Sequence, residues 1–276
     1  MSTVALMGSP GSGKTTMACL TAPSPVHVLD IDRKVKSIAS FQGALKSGAL
    51  TYKEIGETLT EDSMARRLDT LVKDEKMSRP PRGWSNFANY CAELEKDEQA
   101  KACKTIVIDS YTQLAMHMKA HIQYLRGRSK FKWDDWSTWK SMWTEVTTIL
   151  VDYALANDKH LVVILHERVS EKPGQQTGKV IVSTGEKGEK TREYIGTMDV
   201  RIAGSIEGAF GLEFGSYFTD VYGLRVEAER DKAPKWVCRV HPDNQRDLRC
   251  SYDTGGKLEF EPDFRKIWAL RWEGTP

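Results

Sequence analysis

The sequence of 276 residues lacks a charge excess of either sign: 40 Lys and Arg stand against 38 Asp and Glu, a formal net charge of +2. That excludes a protein that coats nucleic acid with its whole surface, so any such binding has to come from a local patch. No apolar run approaches the ~18 residues of a membrane helix, and a strand-like segment starts directly after Met1. A cytoplasmic protein with no membrane partner is the expectation. Cysteine is scarce and odd in number, with five residues and no CxxC pair, which argues against a disulfide framework. Cys238, His241 and Cys250 offer three zinc-type ligands without a fourth. No internal repeat and no dividing linker is present, so one domain is expected over residues 1–276, with a core of about 1–240 and an extension of about 241–276. What is present, 40% hydrophobic and 28% charged residues, suffices for a buried core and excludes long-range disorder.

Short runs that are apolar throughout occur at residues 4–7, 26–29, 105–108 and 161–165, with a weaker one at 50–55. Helical patterns separate them: 61–77, 85–100, 111–125 and 135–157. Strands apolar on both faces and alternating with helices predict an α/β fold, a mainly parallel twisted sheet with helices on both faces. In the last of these helices Trp136, Trp139, Trp143, Val146, Leu150 and Tyr153 recur at steps of three and four, one continuous apolar stripe that faces the core. Residues 171–193, rich in Gly, Lys, Glu and Thr, read as a long loop holding a hairpin around Val180–Val182. A short helix at 205–215 and strands near 218–228 and 235–240 follow, and a C-terminal antiparallel extension completes the expected sheet. Phe264, Ile267, Trp268 and Leu270 suit a terminal element packed on the sheet.

Gly8-Ser9-Pro10-Gly11-Ser12-Gly13-Lys14-Thr15 matches G-x-x-x-x-G-K-[ST] at every fixed position, between a strand and a helix that opens with Thr16. Glycines allow backbone N–H groups to turn inward around phosphate oxygens, and the helix N-terminus adds its positive end. Lys14 then reaches the β- and γ-phosphates of ATP and the Thr15 hydroxyl holds Mg2+. The second carboxylate of the metal shell is expected at the end of a neighbouring strand, where Ile106-Val107-Ile108 runs into Asp109.

The order of this loop, Val28-Leu29-Asp30-Ile31-Asp32, Thr105-Ile106-Val107-Ile108-Asp109-Ser110 and Val162-Val163-Ile164-Leu165-His166-Glu167 resembles a RecA-like P-loop ATPase core. Trp84 and Leu212-Glu213-Phe214-Gly215 with Asp220-Val221 narrow the likeness to the compact RecA-like ATP-binding proteins of bacteriophage type, among them single-strand annealing recombinases. The resemblance implies Asp32 as catalytic carboxylate, with Glu167 as a rival and Asp32 preferred, and His166 as sensor of the γ-phosphate. It also implies a homo-oligomer in which a basic residue acts across the subunit boundary; Arg230, Lys232 and Lys235 are the candidates. The segment with which classical RecA links subunits has no counterpart before the first strand, a departure that counts against a RecA-type filament and leaves rings or DNA-templated assemblies open.

Two segments suit single-stranded DNA. Residues 124–133 hold four basic residues (Arg126, Arg128, Lys130, Lys132), no acidic one and three aromatics including Trp133, a pairing of phosphate neutralisation with base stacking. A solvated turn between helices has the same composition. The loop from 168 to 192 has six basic and three acidic residues, with Lys179, Lys187 and Lys190 as contact candidates. The leading expectation is an ATP- and Mg2+-dependent, DNA-stimulated annealing ATPase, working with or without a single-strand-binding protein. A nucleotide-dependent switch or assembly factor with slow hydrolysis, and a small-molecule phosphotransferase, are the alternatives.

Overall fold

The computed structural model describes residues 1–56, 81–128, 130–172, 180–184, 190–194, 199–204, 214–228, 233–242 and 246–273. Along the chain run β1 (Thr3–Gly8), α1 (Lys14–Thr21), β2 (Val26–Asp30), α2 (Gln42–Ser47), β3 (Leu50–Glu54), α3 (Arg82–Glu93), α4 (Glu98–Ala102) and β4 (Thr105–Asp109). Then come α5 (Tyr111–Arg126), α6 (Trp133–Ala156), β5 (His160–Lys172), β6 (Val180–Thr184), β7 (Lys190–Tyr194), β8 (Asp199–Gly204), β9 (Asp220–Glu227), β10 (Lys235–Arg239), β11 (Glu259–Phe260) and α7 (Phe264–Glu273).

Every residue of β1, β2 and β4 is buried, as strands covered on both faces must be. The sheet order is β11-β10-β9-β1-β5-β4-β2-β3. From β9 to β3 the strands are parallel, while β10 and β11 run antiparallel. One face is covered by α3, α5 and α6 through Phe87, Leu114, Met118, Trp139 and Trp143. The other is covered by α1 and α7 through Met17, Phe264, Ile267 and Trp268. With a phosphate-type loop after β1 and strand order β3-β2-β4-β5-β1, this is a RecA-like P-loop core with an antiparallel C-terminal edge.

The tryptophan stripe lies where its spacing puts it: Trp139, Trp143 and Leu150 are buried, and Trp136, Val146 and Tyr153 pack against them half-buried. Edge-to-face contacts at 5.7 and 5.9 Å link Trp136, Trp139 and Trp143, a geometry the ring quadrupoles favour. Phe264, Ile267 and Trp268 are buried, with Leu270 against them.

Two expectations need correction. The helix expected over 85–100 is two: α3 ends at Glu93, and Asp97 caps α4 by accepting from the N–H groups of Gln99 and Ala100. An Asp side chain offers the backbone an alternative to continuing a helix. The loop expected over 171–193 holds the hairpin expected around Val180–Val182, as β6 paired antiparallel with β7, but its start is strand: β5 runs on to Lys172 and pairs antiparallel with β8. β-Branched residues such as Val169 and Val180-Ile181-Val182 outweigh the loop-like composition around them. Around Cys238, His241 and Cys250, Cys238 is fully buried and His241 Nε2 bonds Thr254 Oγ1 at 2.7 Å, and among the described residues no group of three or more His, Cys, Asp and Glu could hold a metal ion. The helix expected at 61–77 lies outside the described residues, as does most of that at 205–215.

Candidate nucleotide-binding site

The register of the sheet sets the site. Gly8 pairs with His166 and with Leu224, and Asp30 pairs with Asp109, so all these positions share the carboxyl edge of the parallel strands. In open α/β sheets that edge is where ligands bind.

The loop from Gly8 to Thr15 requires its glycines. A Cβ at Gly8 would stand 2.4 Å from Leu224 O and 2.6 Å from Ser12 Oγ, and Gly11 and Gly13 have φ of +80° and +87°, conformations that only glycine adopts freely. Ser9, Pro10 and Gly11 form an exposed crest and Ser12 is buried beneath it. Helix α1 starts at Lys14 without an acidic residue in its first turn and without a side-chain cap. Its N–H groups and dipole are therefore open to an external anion. Lys14 is 5% exposed; its Nζ donates to Gly8 O at 2.7 Å, Ser9 O at 2.8 Å and Ser12 Oγ at 3.3 Å. Burial lowers its pKa to about 8, with Asp109 opposing. Thr16 is exposed one position on.

Facing the loop is a cluster of carboxylates. Thr15 Oγ1 donates to Asp109 Oδ2 at 2.8 Å. Asp109 is fully buried; its Oδ1 has no hydrogen bond and lies 3.3 Å from Lys34 Nζ. Burial raises the Asp109 pKa even though Lys34 and Thr15 lower it. Asp32 accepts from Lys34 Nζ at 2.8 Å and from Ser110 Oγ at 3.0 Å. A hydroxyl and a carboxylate with an unbonded buried oxygen are hard oxygen donors of the kind Mg2+ takes, so Thr15 and Asp109 fit that ion.

From β5, the His166 N–H donates to Thr112 Oγ1 at 2.9 Å, and His166 Nδ1 is buried without a hydrogen-bond partner. Burial, then Lys14 and Lys34, lower its pKa, leaving a neutral imidazole near pH 7. Glu167 is paired with Arg246, whose Nε lies 2.9 Å from Oε1. A cavity of about 520 Å³ is lined by Asp32, Lys34, Ser110, Thr112, Gln113 and His166, among others; Glu167 does not line it.

The sequence reading missed Asp30, Lys34, Arg246 and Trp236. Buried Asp30 accepts from the N–H groups of Lys34 at 3.2 Å and Val35 at 2.9 Å, and so shapes the turn after β2. Acid, acid and base at Asp30, Asp32 and Lys34 were the available signal. Trp236 Nε1 donates to Gly11 O at 3.2 Å, and Arg246 reaches Glu167 over 79 positions; neither contact has a local signature.

The other candidates lie apart. Lys235, on β10, is 73% exposed in its side chain and 3.8 Å from Glu227. Arg230, Lys232, Lys179 and Lys187 lie outside the described residues, and Lys190 opens β7. The basic run at 124–133 is not free of acid in space. Arg128 donates to both oxygens of Asp134 at 3.0 Å and to Asp135, and Arg126 Nε lies 3.7 Å from Asp135. Lys130 and Lys132 are exposed and Trp133 is 90% exposed.

The loop after β1, Lys14 and Thr15, and Asp109 on a parallel strand of the same sheet define a P-loop ATPase of RecA-like fold. The family model described as an AAA domain (AAA_24) matches residues 2–208, and the chain belongs to that family. Among solved structures it is similar to the flagellar accessory protein FlaH from Methanocaldococcus jannaschii, at 12% identity over 86% of this chain and 76% of that one, with a TM-score of 0.36. It is also similar to the KaiC-like protein PH0186 from Pyrococcus horikoshii OT3, at 17% identity over 91% of this chain and 82% of that one, TM-score 0.36. Among curated proteins none matches the chain. Among the described residues no helix is long and apolar enough to cross a membrane.

Proposed function

We propose that this chain is a Mg2+-dependent ATPase of the bacteriophage annealing type, which binds single-stranded DNA as a cytoplasmic homo-oligomer and promotes strand annealing in recombination or repair. The observation that carries the ATPase reading is the convergence of Lys14, Thr15, Asp109 and Asp32 on the uncapped start of α1. Backbone N–H groups of residues 8–16, all but Pro10, which has none, bind the phosphates. Lys14 exchanges the carbonyls of Gly8 and Ser9 for β- and γ-phosphate oxygens. Thr15 and Asp109 would hold Mg2+, which neutralises charge on the phosphates when bound. Asp32 lines the cavity and is oriented by Ser110, which suits it better than Glu167 to take a proton from water. His166, neutral and with a free buried nitrogen, meets the γ-phosphate end.

The DNA part of the reading is supported by exposed Lys130, Lys132 and Trp133, a pair of charges beside a stacking ring; Lys179, Lys187 and Lys190 belong to the second segment. A single-strand-binding protein is the partner that would deliver the strand, and Arg230, Lys232 and Lys235 remain the groups proposed to act between subunits.

One observation favours a second reading, a nucleotide-dependent assembly factor with slow hydrolysis: both candidate bases are ion-paired, Asp32 with Lys34 and Glu167 with Arg246. ATP turnover with and without single-stranded DNA in low salt, with subunit mass measured in parallel, tests the proposal. Stimulated turnover is expected. Turnover indifferent to DNA sinks the DNA reading, and DNA association lost in Lys14→Ala but kept in Asp32→Asn makes binding, not hydrolysis, the operative event.

A further inference from the structure

Lys34 stands where a simple P-loop needs no cation of its own. Its Nζ lies 2.8 Å from Asp32 Oδ2 and 3.3 Å from Asp109 Oδ1, the oxygen left without a hydrogen bond, while Thr15 holds the other oxygen of Asp109. The backbone is built to put it there. Buried Asp30 accepts from the N–H groups of Lys34 and Val35, and Asp109 O accepts from the N–H groups of Ile31 at 2.7 Å and Asp32 at 3.1 Å. The turn after β2 is thus clamped to the end of β4, with the lysine facing Asp109.

Burial works against the charged lysine, but Asp109 and Asp32 outweigh it and hold its pKa above the ordinary value. Two carboxylates on adjacent strand ends repel, and a fully buried one such as Asp109 is costly without a counter-charge. The ammonium supplies that charge. It also sits within ion-pair distance of an Asp109 oxygen suited to a divalent ion, and a dication and an ammonium repel each other there.

We propose that Lys34 is an internal counter-cation that competes with the divalent ion for Asp109, so that the ion enters only together with a triphosphate able to receive the displaced ammonium. This rests on the nucleotide reading above. The displaced side chain has somewhere to go: Lys34 lines the 520 Å³ cavity together with Asp32, Ser110, Gln113 and His166. Its departure from Asp32 also frees that carboxylate, so the base becomes available only after the nucleotide has arrived. Lys34 acts here as a positioning residue, through Asp32 and Asp109.

The test is Mn2+ binding to the full chain without nucleotide, read by electron paramagnetic resonance of the free ion. Lys34→Met, close in length but uncharged, is expected to bind one Mn2+ at least tenfold more tightly than the unaltered chain. Lys34→Arg should bind it no better than the unaltered chain, and Asp109→Asn added to Lys34→Met should abolish the gain. Lys34→Gln serves in place of Lys34→Met if circular dichroism shows the latter unfolded. Equal Mn2+ affinity in the folded neutral variant and the unaltered chain overturns the proposal. Calorimetry of ATP with the unaltered chain separates the two readings: no heat there, with the Mn2+ gain intact, sinks the nucleotide reading and leaves the competition for Asp109 standing.

Discussion

Two helices of this molecule begin at basic residues, α1 at the single Lys14 and α6 just beyond the run from Arg126 to Lys132, and only one of them is left open to an anion. Helix α1 opens with Lys14 and has no acidic residue in its first turn. Helix α6 follows Arg126, Arg128, Lys130 and Lys132, but Asp134 and Asp135 occupy its first turn, and Asp135 accepts from the Lys132 N–H at 2.8 Å. Each N-terminus carries the same partial positive charge. At α6 the chain supplies its own anion, and Arg128 is spent on it. At α1 the dipole, the turned-in amides and Lys14 are all left for a ligand. Counting basic residues therefore misjudges both sites; what matters is whether a local acid has already answered them.

The sharpest way to break the comparison is to remove Lys14. Lys14→Ala deletes up to two charge-assisted contacts and is expected to weaken ATP binding at least a hundredfold, roughly 3 kcal/mol. Calorimetry should show Lys130→Ala and Lys132→Ala unchanged beside it. If the α6 variants weakened ATP as much, the distinction between the helix ends would fail.

A pH titration discriminates next. The Lys14 pKa of about 8 lies below the ordinary lysine value of 10.5, so the unfolded chain binds more protons between those limits. The penalty of burying the charged lysine is full below pH 8 and fades as pH rises towards 10.5, a gain in stability with pH. ATP reverses the preference, because the phosphates require the charged form. Affinity should hold below about pH 8 and then fall by up to about tenfold per unit, roughly thirtyfold in all by pH 9.5. The ion pairs of Arg128 should not respond, since Asp135 and Asp134 raise its pKa further. A flat affinity profile would mean that Lys14 does not sense the phosphates.

Arg128→Ala comes third. It strands buried Asp135 with a diminished counter-charge, so the thermal midpoint is expected to drop by about 2–4 °C while ATP affinity stays within twofold. A variant that loses DNA binding without losing stability would instead make Arg128 a DNA contact.

The sequence was most legible where chemistry leaves no substitute. Gly8, Gly11 and Gly13 meet a close approach or a positive φ, and Lys14, Thr15 and Asp109 converge as their spacing requires. The buried strands and the tryptophan stripe were legible for a related reason, since burial on two faces demands an unbroken apolar run and burial on one helical stripe forces a period on the residues. Asp30, Lys34, Arg246 and Trp236 were not legible. They serve the site through a turn or through contacts between distant positions, 79 apart for Arg246 and Glu167 and 225 apart for Trp236 and Gly11, and no period marks such contacts. The neutralised state of Arg128 was hidden by a subtler cause: the window that showed four basic residues ended one position before Asp134.

The smallest expected effect falls on the part of the α6 turn that the acids do not reach. Trp133 is 90% exposed and Lys130 and Lys132 are exposed with it. A large apolar ring held in water gains most by stacking on a base, at roughly 1–3 kcal/mol. Trp133→Ala should therefore weaken single-stranded DNA binding by about fivefold or more, yet shift folding stability by less than about 0.5 kcal/mol. Lys130→Ala or Lys132→Ala should flatten the dependence of log affinity on log salt by roughly 0.7 each if each lysine meets one phosphate. Should all three variants bind DNA like the unaltered chain while Lys14→Ala still abolishes turnover, the turn before α6 is no DNA surface at all. The comparison would then be complete in the other direction, with one helix start built for an anion and the other merely solvated.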